Sequence, residues 1–294
     1  FVASESHYSF LKQACEDAGV EALGYLPKCA DVEIPSRHLG LSLDEDFCFE
    51  EFADRVAELV EKHVNIDRLL ELTKPVETVA VPTSAGRRTY NRESSFPIAI
   101  ARDAAFNFMY EANIRYLHHL GEVTYFSPLT DTSLPEAGFV YLPGGYPELY
   151  LAALSANKPM LQSIRRYAEN GGKLLAECGG MMYLCDEIRD KNGDVYPMAG
   201  VLHQSATMEN MKLRLGYRTL LYNDARLKGH EFHYSRLVEQ NNPLPSCAVA
   251  YTAKGVETDT PLYRYKNVWA GYTHLYWADP AGNEWFTNYL FGKE

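Results

Sequence analysis

Cys178 follows an apolar, strand-like run, Lys173-Leu174-Leu175-Ala176-Glu177, and is followed at once by Gly179-Gly180 and a helix-like segment, Met181-Met182-Tyr183-Leu184. That order makes a sharp strand-to-helix turn with a nucleophile at its tip. The glycines permit the tight backbone, and the helix start offers unpaired N–H groups with a positive partial charge. Both features are expected to lower a thiol's pKa and to stabilise an oxyanion. A buried structural cysteine is the competing reading of a lone Cys. A second junction has the same form: Phe139-Val140-Tyr141-Leu142 runs into Pro143-Gly144-Gly145-Tyr146-Pro147-Glu148. Backbone N–H groups near Gly144, Gly145 and Gly179 could hold an anion or a developing alkoxide. Two such junctions suggest a site at the carboxyl edge of a parallel sheet. His274 ends the run Val268-Trp269-Ala270-Gly271-Tyr272-Thr273, where a general base for Cys178 could sit. Nucleophile and base are commonly distant in sequence and adjacent only in the fold.

The stretch His230-Glu231-Phe232-His233 invites a metal reading and fails it. Metalloprotease histidines lie at i and i+4 on a helix. Here they lie at i and i+3 in a strand-like run, which turns the rings to opposite faces. No metal site is expected. Glu231 and His233 share a face and could line the site or orient a partner. Cys185 reads as core, and His118-His119 as cations welcome at a helix end.

The elements that must position these residues come next. From Pro97 the pattern alternates strand and helix: Ile98–Ala101, a helix near Ala104–Leu120, Val123–Phe126, Phe139–Leu142, a helix over Pro159–Asn170, then Lys173–Glu177. This implies an α/β fold, a mostly parallel sheet flanked by helices. After about Val195 the chain is β-rich, so antiparallel additions to that sheet are expected. Residues 1–74 mix helix-like and strand-like pieces. A helix over Ser6–Ala18 closes on Gly19, and Asp44–His63 places Phe49, Phe52, Val56, Leu59, Val60 and His63 on one face. Residues 75–96 read as a linker, with Arg87 and Arg88 as linker charge.

Bulk properties narrow the class. Among 294 residues, 28 Lys plus Arg against 39 Asp plus Glu give a net charge of −11. That argues against nucleic acid, whose binding relies on neutralising phosphates. The six cysteines, at 15, 29, 48, 178, 185 and 247, form no Cys-x-x-Cys pair. Reduced thiols in a cytoplasm fit better than a disulfide scaffold. No apolar run approaches the ~20 residues of a membrane helix, and no secretory signal opens the chain.

Four motifs then occur in order: Leu142-Pro143-Gly144-Gly145-Tyr146-Pro147-Glu148, Ala176-Glu177-Cys178-Gly179-Gly180-Met181-Met182-Tyr183, Gly229-His230-Glu231-Phe232-His233-Tyr234-Ser235 and Thr273-His274-Leu275-Tyr276-Trp277. Together they resemble the glutamine amidotransferase domain of the cobyrinate a,c-diamide synthase family, over roughly Pro97 to Phe286. Pro97-Ile98-Ala99-Ile100-Ala101 resembles that domain's first strand. Leu23-Gly24-Tyr25-Leu26-Pro27 and Ile34-Pro35-Ser36-Arg37-His38-Leu39-Gly40-Leu41 resemble the tail of the family's ATP-binding synthetase domain.

The resemblance implies a class I glutamine amidotransferase-like, flavodoxin-like domain at 97–294, preceded by a partial synthetase domain at 1–74. It implies a ligase of cobalamin biosynthesis. Cys178 would be the nucleophile, His274 the base, and Gly144, Gly145 and Gly179 the oxyanion and glutamine site. Glutamine and a tetrapyrrole acid would be substrates, with ATP and Mg²⁺ serving the full-length enzyme. Hydrogenobyrinate or nickel-sirohydrochlorin are alternative acceptors, and a catalytically silent interaction subunit is the alternative class. A homodimer stays open. No Gly-x4-Gly-Lys-Ser/Thr phosphate loop occurs in these residues. The chain therefore reads as the C-terminal part of a longer enzyme or a separately encoded subunit, with no ATP expected on it alone. Many such domains place a Glu two residues after the base; here that position is Tyr276. Glu231 or a plain Cys–His dyad are the alternatives.

Overall fold

The computed structural model describes residues 2, 4–33, 36–37, 40–41, 48–73, 96–241 and 243–292. The chain divides into two compact units, 1–88 and 89–294. In the first, α1 (Glu5–Asp17) begins where the Ser4 hydroxyl accepts the His7 N–H at 3.2 Å. It ends before Gly19, whose φ of +73° suits a helix stop. Short β1 (Ser36–Arg37) and β2 (Gly40–Leu41) pair antiparallel. In α2 (Phe49–His63) the expected face is half-buried at Phe52, Val56, Leu59, Val60 and His63, whereas Phe49 is exposed. The acidic start of that expected helix, 44–47, lies outside the described residues, as does the linker reading, Phe96 apart. Asn65 caps α3 (Ile66–Leu72), and Arg68 binds Glu21 at 2.9 Å.

The second unit opens with β3 (Pro97–Ala101), α4 (Glu111–Leu120), β4 (Glu122–Phe126), β5 (Phe139–Leu142), α5 (Leu151–Ala156), α6 (Lys158–Glu169), β6 (Lys173–Glu177) and α7 (Gly179–Leu184). There follow β7 (Glu187–Arg189), β8 (Val195–Pro197), β9 (Ser205–Thr207), β10 (Arg214–Tyr222), β11 (Ala225–His233), β12 (Arg236–Leu237), β13 (Val249–Thr252) and β14 (Glu257–Thr258). The last elements are β15 (Leu262–Tyr265), β16 (Val268–Gly271), β17 (His274–Leu275) and α8 (Pro280–Phe291). The central sheet runs β15-β16-β6-β5-β3-β4, parallel throughout except for β15.

Its inner strands are buried on both faces, as a helix-covered parallel sheet requires. Successive residues split between the two cores with period two. Ala99, Val140, Leu174 and Ala176 join one with Leu154, Met160 and Ile164, while Ile98, Phe139, Leu175 and Trp269 join the other with Leu117, Trp285 and Phe286.

Three features depart from the sequence expectation. The β-rich region adds only β15 antiparallel to the central sheet, and β16 joins it parallel. The rest forms a five-stranded sheet, β14-β13-β10-β11-β17, and a four-stranded one, β12-β9-β7-β8. The helix expected near Ala104 starts at Glu111, because the Asp103 carboxylate accepts N–H bonds from Ala105 (2.8 Å) and Phe106 (3.1 Å) and folds a turn instead. Helix α8 was not foreseen, although Asp279 accepts the Gly282 N–H at 2.8 Å and Pro280 stands at its first turn.

Candidate active site

Cys178 joins β6 to α7 with φ 48° and ψ −106°. Positive φ in a residue bearing a side chain costs on the order of 1–3 kcal/mol and persists only where neighbours impose it. Here the Cys178 N–H donates to Gly271 O at 2.8 Å and Cys178 O accepts from Met182 N at 3.0 Å. The glycines that follow are required by space. A Cβ on Gly180 would meet Leu142 O at 2.1 Å, and one on Gly179 would lie 3.2 Å from Gly145 N and 2.7 Å from Pro147 Cδ. The two Gly-Gly junctions thus face each other across the carboxyl edge of β5 and β6.

His274 comes to the same edge. A Cβ on Gly144 would stand 2.2 Å from His274 Cε1, so the imidazole occupies the room that a side chain there would fill. Phe108 packs edge-on against the His274 ring at 4.6 Å between centroids, held by its N–H to Gly144 O at 3.0 Å. His230, the register partner of His274 across β11 and β17, stacks on it at 5.0 Å. Tyr110 hydroxyl bonds His230 Nδ1. The loop that replaces the expected start of α4 therefore supplies Phe108 and Tyr110, which sequence reasoning missed.

The thiol expectation is corrected. Burial, then the Glu148 carboxylate, push Cys178 well above the ordinary thiol range; Gly179 N–H opposes this, and Glu177 and Glu231 add to it. Burial, with His230 and His233 nearby, lowers His274 to about 3. Both shifts favour a neutral Cys178 thiol and a neutral His274 imidazole at rest. A dry site outweighs one short helix terminus. Glu148, pushed up to about 7 by burial, was also missed. Its sequence signal was a carboxylate directly after a Gly-Gly-x-Pro junction.

Glu177, the residue before the nucleophile, is 2% exposed. Its carboxylate accepts the Tyr141 hydroxyl at 2.7 Å and the Leu275 N–H at 3.0 Å. Burial raises it from 4.5 to about 8. The folded state therefore holds a proton that the unfolded chain has released between those pH values. The stability so gained is present below pH 4.5 and is lost as pH rises through 8, on the order of 5 kcal/mol in all. Glu177→Gln should accordingly raise the melting temperature relative to the parent at pH 9, with the gap shrinking towards pH 5. Calorimetric scans showing a gap independent of pH would refute this.

Glu231 and His233 do share one face of β11, both buried, and they line a cavity of about 310 Å³ with Arg214, Ser235, Arg236 and Tyr272. Glu231 pairs with Arg218 at 2.8 Å, on the strand face opposite to the one that carries His230. Adjacent strand residues point apart and the Glu231 charge is already matched, which counts against Glu231 as the orienter of His274. His233 stacks on Tyr272 at 3.8 Å and its Nδ1 bonds Ser235 O at 2.8 Å, while its Nε2 has no hydrogen-bond partner among the described residues. Cys185 is fully buried, as core. Among the described residues no cluster of three or more metal-type ligands occurs, and no helix is long and apolar enough to cross a membrane.

Hydrogenobyrinate a,c-diamide synthase of Pseudomonas aeruginosa is 36% identical over 94% of the chain and 61% of its own length. Cobyrinate a,c-diamide synthases of Salmonella typhimurium and Clostridium acetobutylicum are 34% and 36% identical over 94% and 93% of the chain, covering 62% and 63% of those proteins. The chain thus spans less than two thirds of these curated relatives. Residues 97–282 match the family model of the CobB/CobQ-like glutamine amidotransferase domain. They comprise the parallel sheet, both glycine junctions and His274, and the chain belongs to that family.

Proposed function

We propose that this chain is the glutamine-hydrolysing part of an ATP-dependent amidoligase that amidates the a and c carboxylates of a corrin-ring acid. The observation that carries the reading is the strained Cys178 elbow, with its Gly179 against Gly145 and the His274 ring against Gly144. Cys178 sulfur attacks the glutamine carboxamide carbon as its proton passes to His274, so the thiolate need not pre-exist at rest. The carbonyl oxygen takes the negative charge, and N–H groups at Gly145 and Gly179 stabilise it. Collapse breaks the C–N bond; His274 returns the proton to the leaving nitrogen, giving ammonia and a γ-glutamyl thioester. Water then hydrolyses the thioester to glutamate and restores the thiol. ATP and Mg²⁺ would supply carboxylate activation in the whole protein.

A second ring is favoured equally by one finding: relatives named for cobyrinate and for hydrogenobyrinate match at near-equal identity. Assay of both acids separates them.

The test of the glutaminase reading exploits burial. Cys178 is buried, whereas Cys48 is exposed and Cys15, Cys29 and Cys247 are half-buried. A general alkylating reagent should take Cys48 first. A glutamine analogue bearing an α-halo or diazo ketone should instead label Cys178 ahead of the other five. Peptide mapping that finds the analogue first on Cys48, Cys185 or Cys247 would remove the nucleophile.

A further inference from the structure

Two deficits face each other in the core beside Cys178. His274 is 4% exposed, and its Nδ1 has no hydrogen-bond partner among the described residues. Glu177 is a buried carboxylate whose hydrogen bonds, among the described residues, come from the neutral Tyr141 hydroxyl and Leu275 N–H. Glu177 Oε2 lies 4.0 Å from His274 Nδ1. Each group lacks what the other offers, an acceptor for a ring N–H and a donor for a lone pair. Catalytic hydrogen bonds are often long in an unliganded site and shorten when substrate binds.

We infer that Glu177 is the positioning carboxylate of His274, standing where this chain has Tyr276 instead of a glutamate. The inference rests on the glutaminase reading above and adds a residue to it. Two further arrangements in the structure support it beyond proximity. Tyr141 and Leu275 both donate, so they hold the carboxylate in place and leave it free to accept a third bond from Nδ1–H. Leu275 also follows His274 directly in β17, so its N–H ties Glu177 to the segment that carries the base.

The consequence is a choice of tautomer. With the proton on Nδ1 and directed at Glu177, Nε2 is free to take the Cys178 proton. The imidazolium then formed is stabilised by the adjacent carboxylate. A protonated Glu177 would instead donate to Nδ1, leaving the proton on Nε2 and the ring unable to act as base. Activity therefore needs ionised Glu177, and the glutaminase rate should rise with pH through that group's titration. Tyr276 does not fill the role: it is 38% exposed and its ring packs edge-on against Tyr110 at 5.5 Å.

The experiment compares the parent protein, Glu177→Gln and Cys178→Ala by glutamate release from glutamine across pH 5.5–9.5. Glutamine keeps the shape of the side chain, an acceptor for Leu275 and a partner for Tyr141, so the fold should survive. Glu177→Gln should lose about 10²–10⁴-fold in kcat with little change in KM, and the acidic limb should vanish. Long-range ¹⁵N–¹H spectra of the parent provide a readout that needs no variant, and at pH 9, where Glu177 is ionised, should show His274 carrying its proton on Nδ1. Parent-like kcat and an unchanged acidic limb in Glu177→Gln, or an Nε2–H tautomer in the parent at pH 9, would overturn the role while an inert Cys178→Ala left the glutaminase reading intact. An active Cys178→Ala would bring down both.

Discussion

Cys178→Ala is expected to abolish glutamine-dependent amidation by the whole protein while leaving amidation driven by high free ammonia near its parental rate. The substitution removes the only atom proposed to bond to the glutamine carbon, and loss of a covalent nucleophile costs at least about 10⁴-fold in kcat. It spares the ammonia route because ammonia enters after the glutaminase step. Parallel assays with glutamine and with an ammonium salt check this. Loss of both activities in a folded variant would show that the division of labour is wrong. Parental glutamate release by the variant would remove Cys178 as the nucleophile, and a parent protein that releases none would mark the chain as the silent interaction subunit.

His274→Ala is expected to lower the rate of glutamate release by about 10²–10⁴-fold, the range for a positioned acid–base group. His233→Ala should cost less than about 10-fold, and mainly in KM, because His233 lines the cavity beyond Tyr272 and its ring is stacked there. His230 makes a sharper rival, since its ring stacks on His274. Its Nδ1 is taken up by Tyr110, however. The double variant Cys178→Ala/His274→Ala should be no worse than Cys178→Ala alone, because two parts of one device are not additive. A His233→Ala loss larger than that of His274→Ala, measured as kcat, would reverse the assignment.

Much of this fold was legible because its signals are local. Buried parallel strands read as short continuous apolar runs, and Phe139–Leu142 and Lys173–Glu177 have the boundaries that the pattern implies. Glycine pairs after such runs announce a turn into a helix, and only close approach to Leu142 O and Pro147 explains why both must be glycine. The β-rich second half was legible as strands and illegible as sheets. Period two says that a strand has two faces and is silent on its neighbours, so β16 joining β6 in parallel could not be told from β15 joining it antiparallel. The Asp103 turn was hidden by a helix-compatible pattern. A single side chain accepting two N–H groups decided against the helix.

The sequence by itself determined the cysteine, the two glycine junctions and the late histidine, since residue type and spacing suffice for a backbone turn. It could not assign the carboxylate. Glu231 carried the motif and Glu177 looked like the last residue of a strand. Only the tertiary structure turned Glu231 towards Arg218 and brought Glu177 within 4.0 Å of His274. It likewise reversed the expected ionisation of Cys178, because burial and neighbouring carboxylates act through space on a charge that the helix start alone would have favoured.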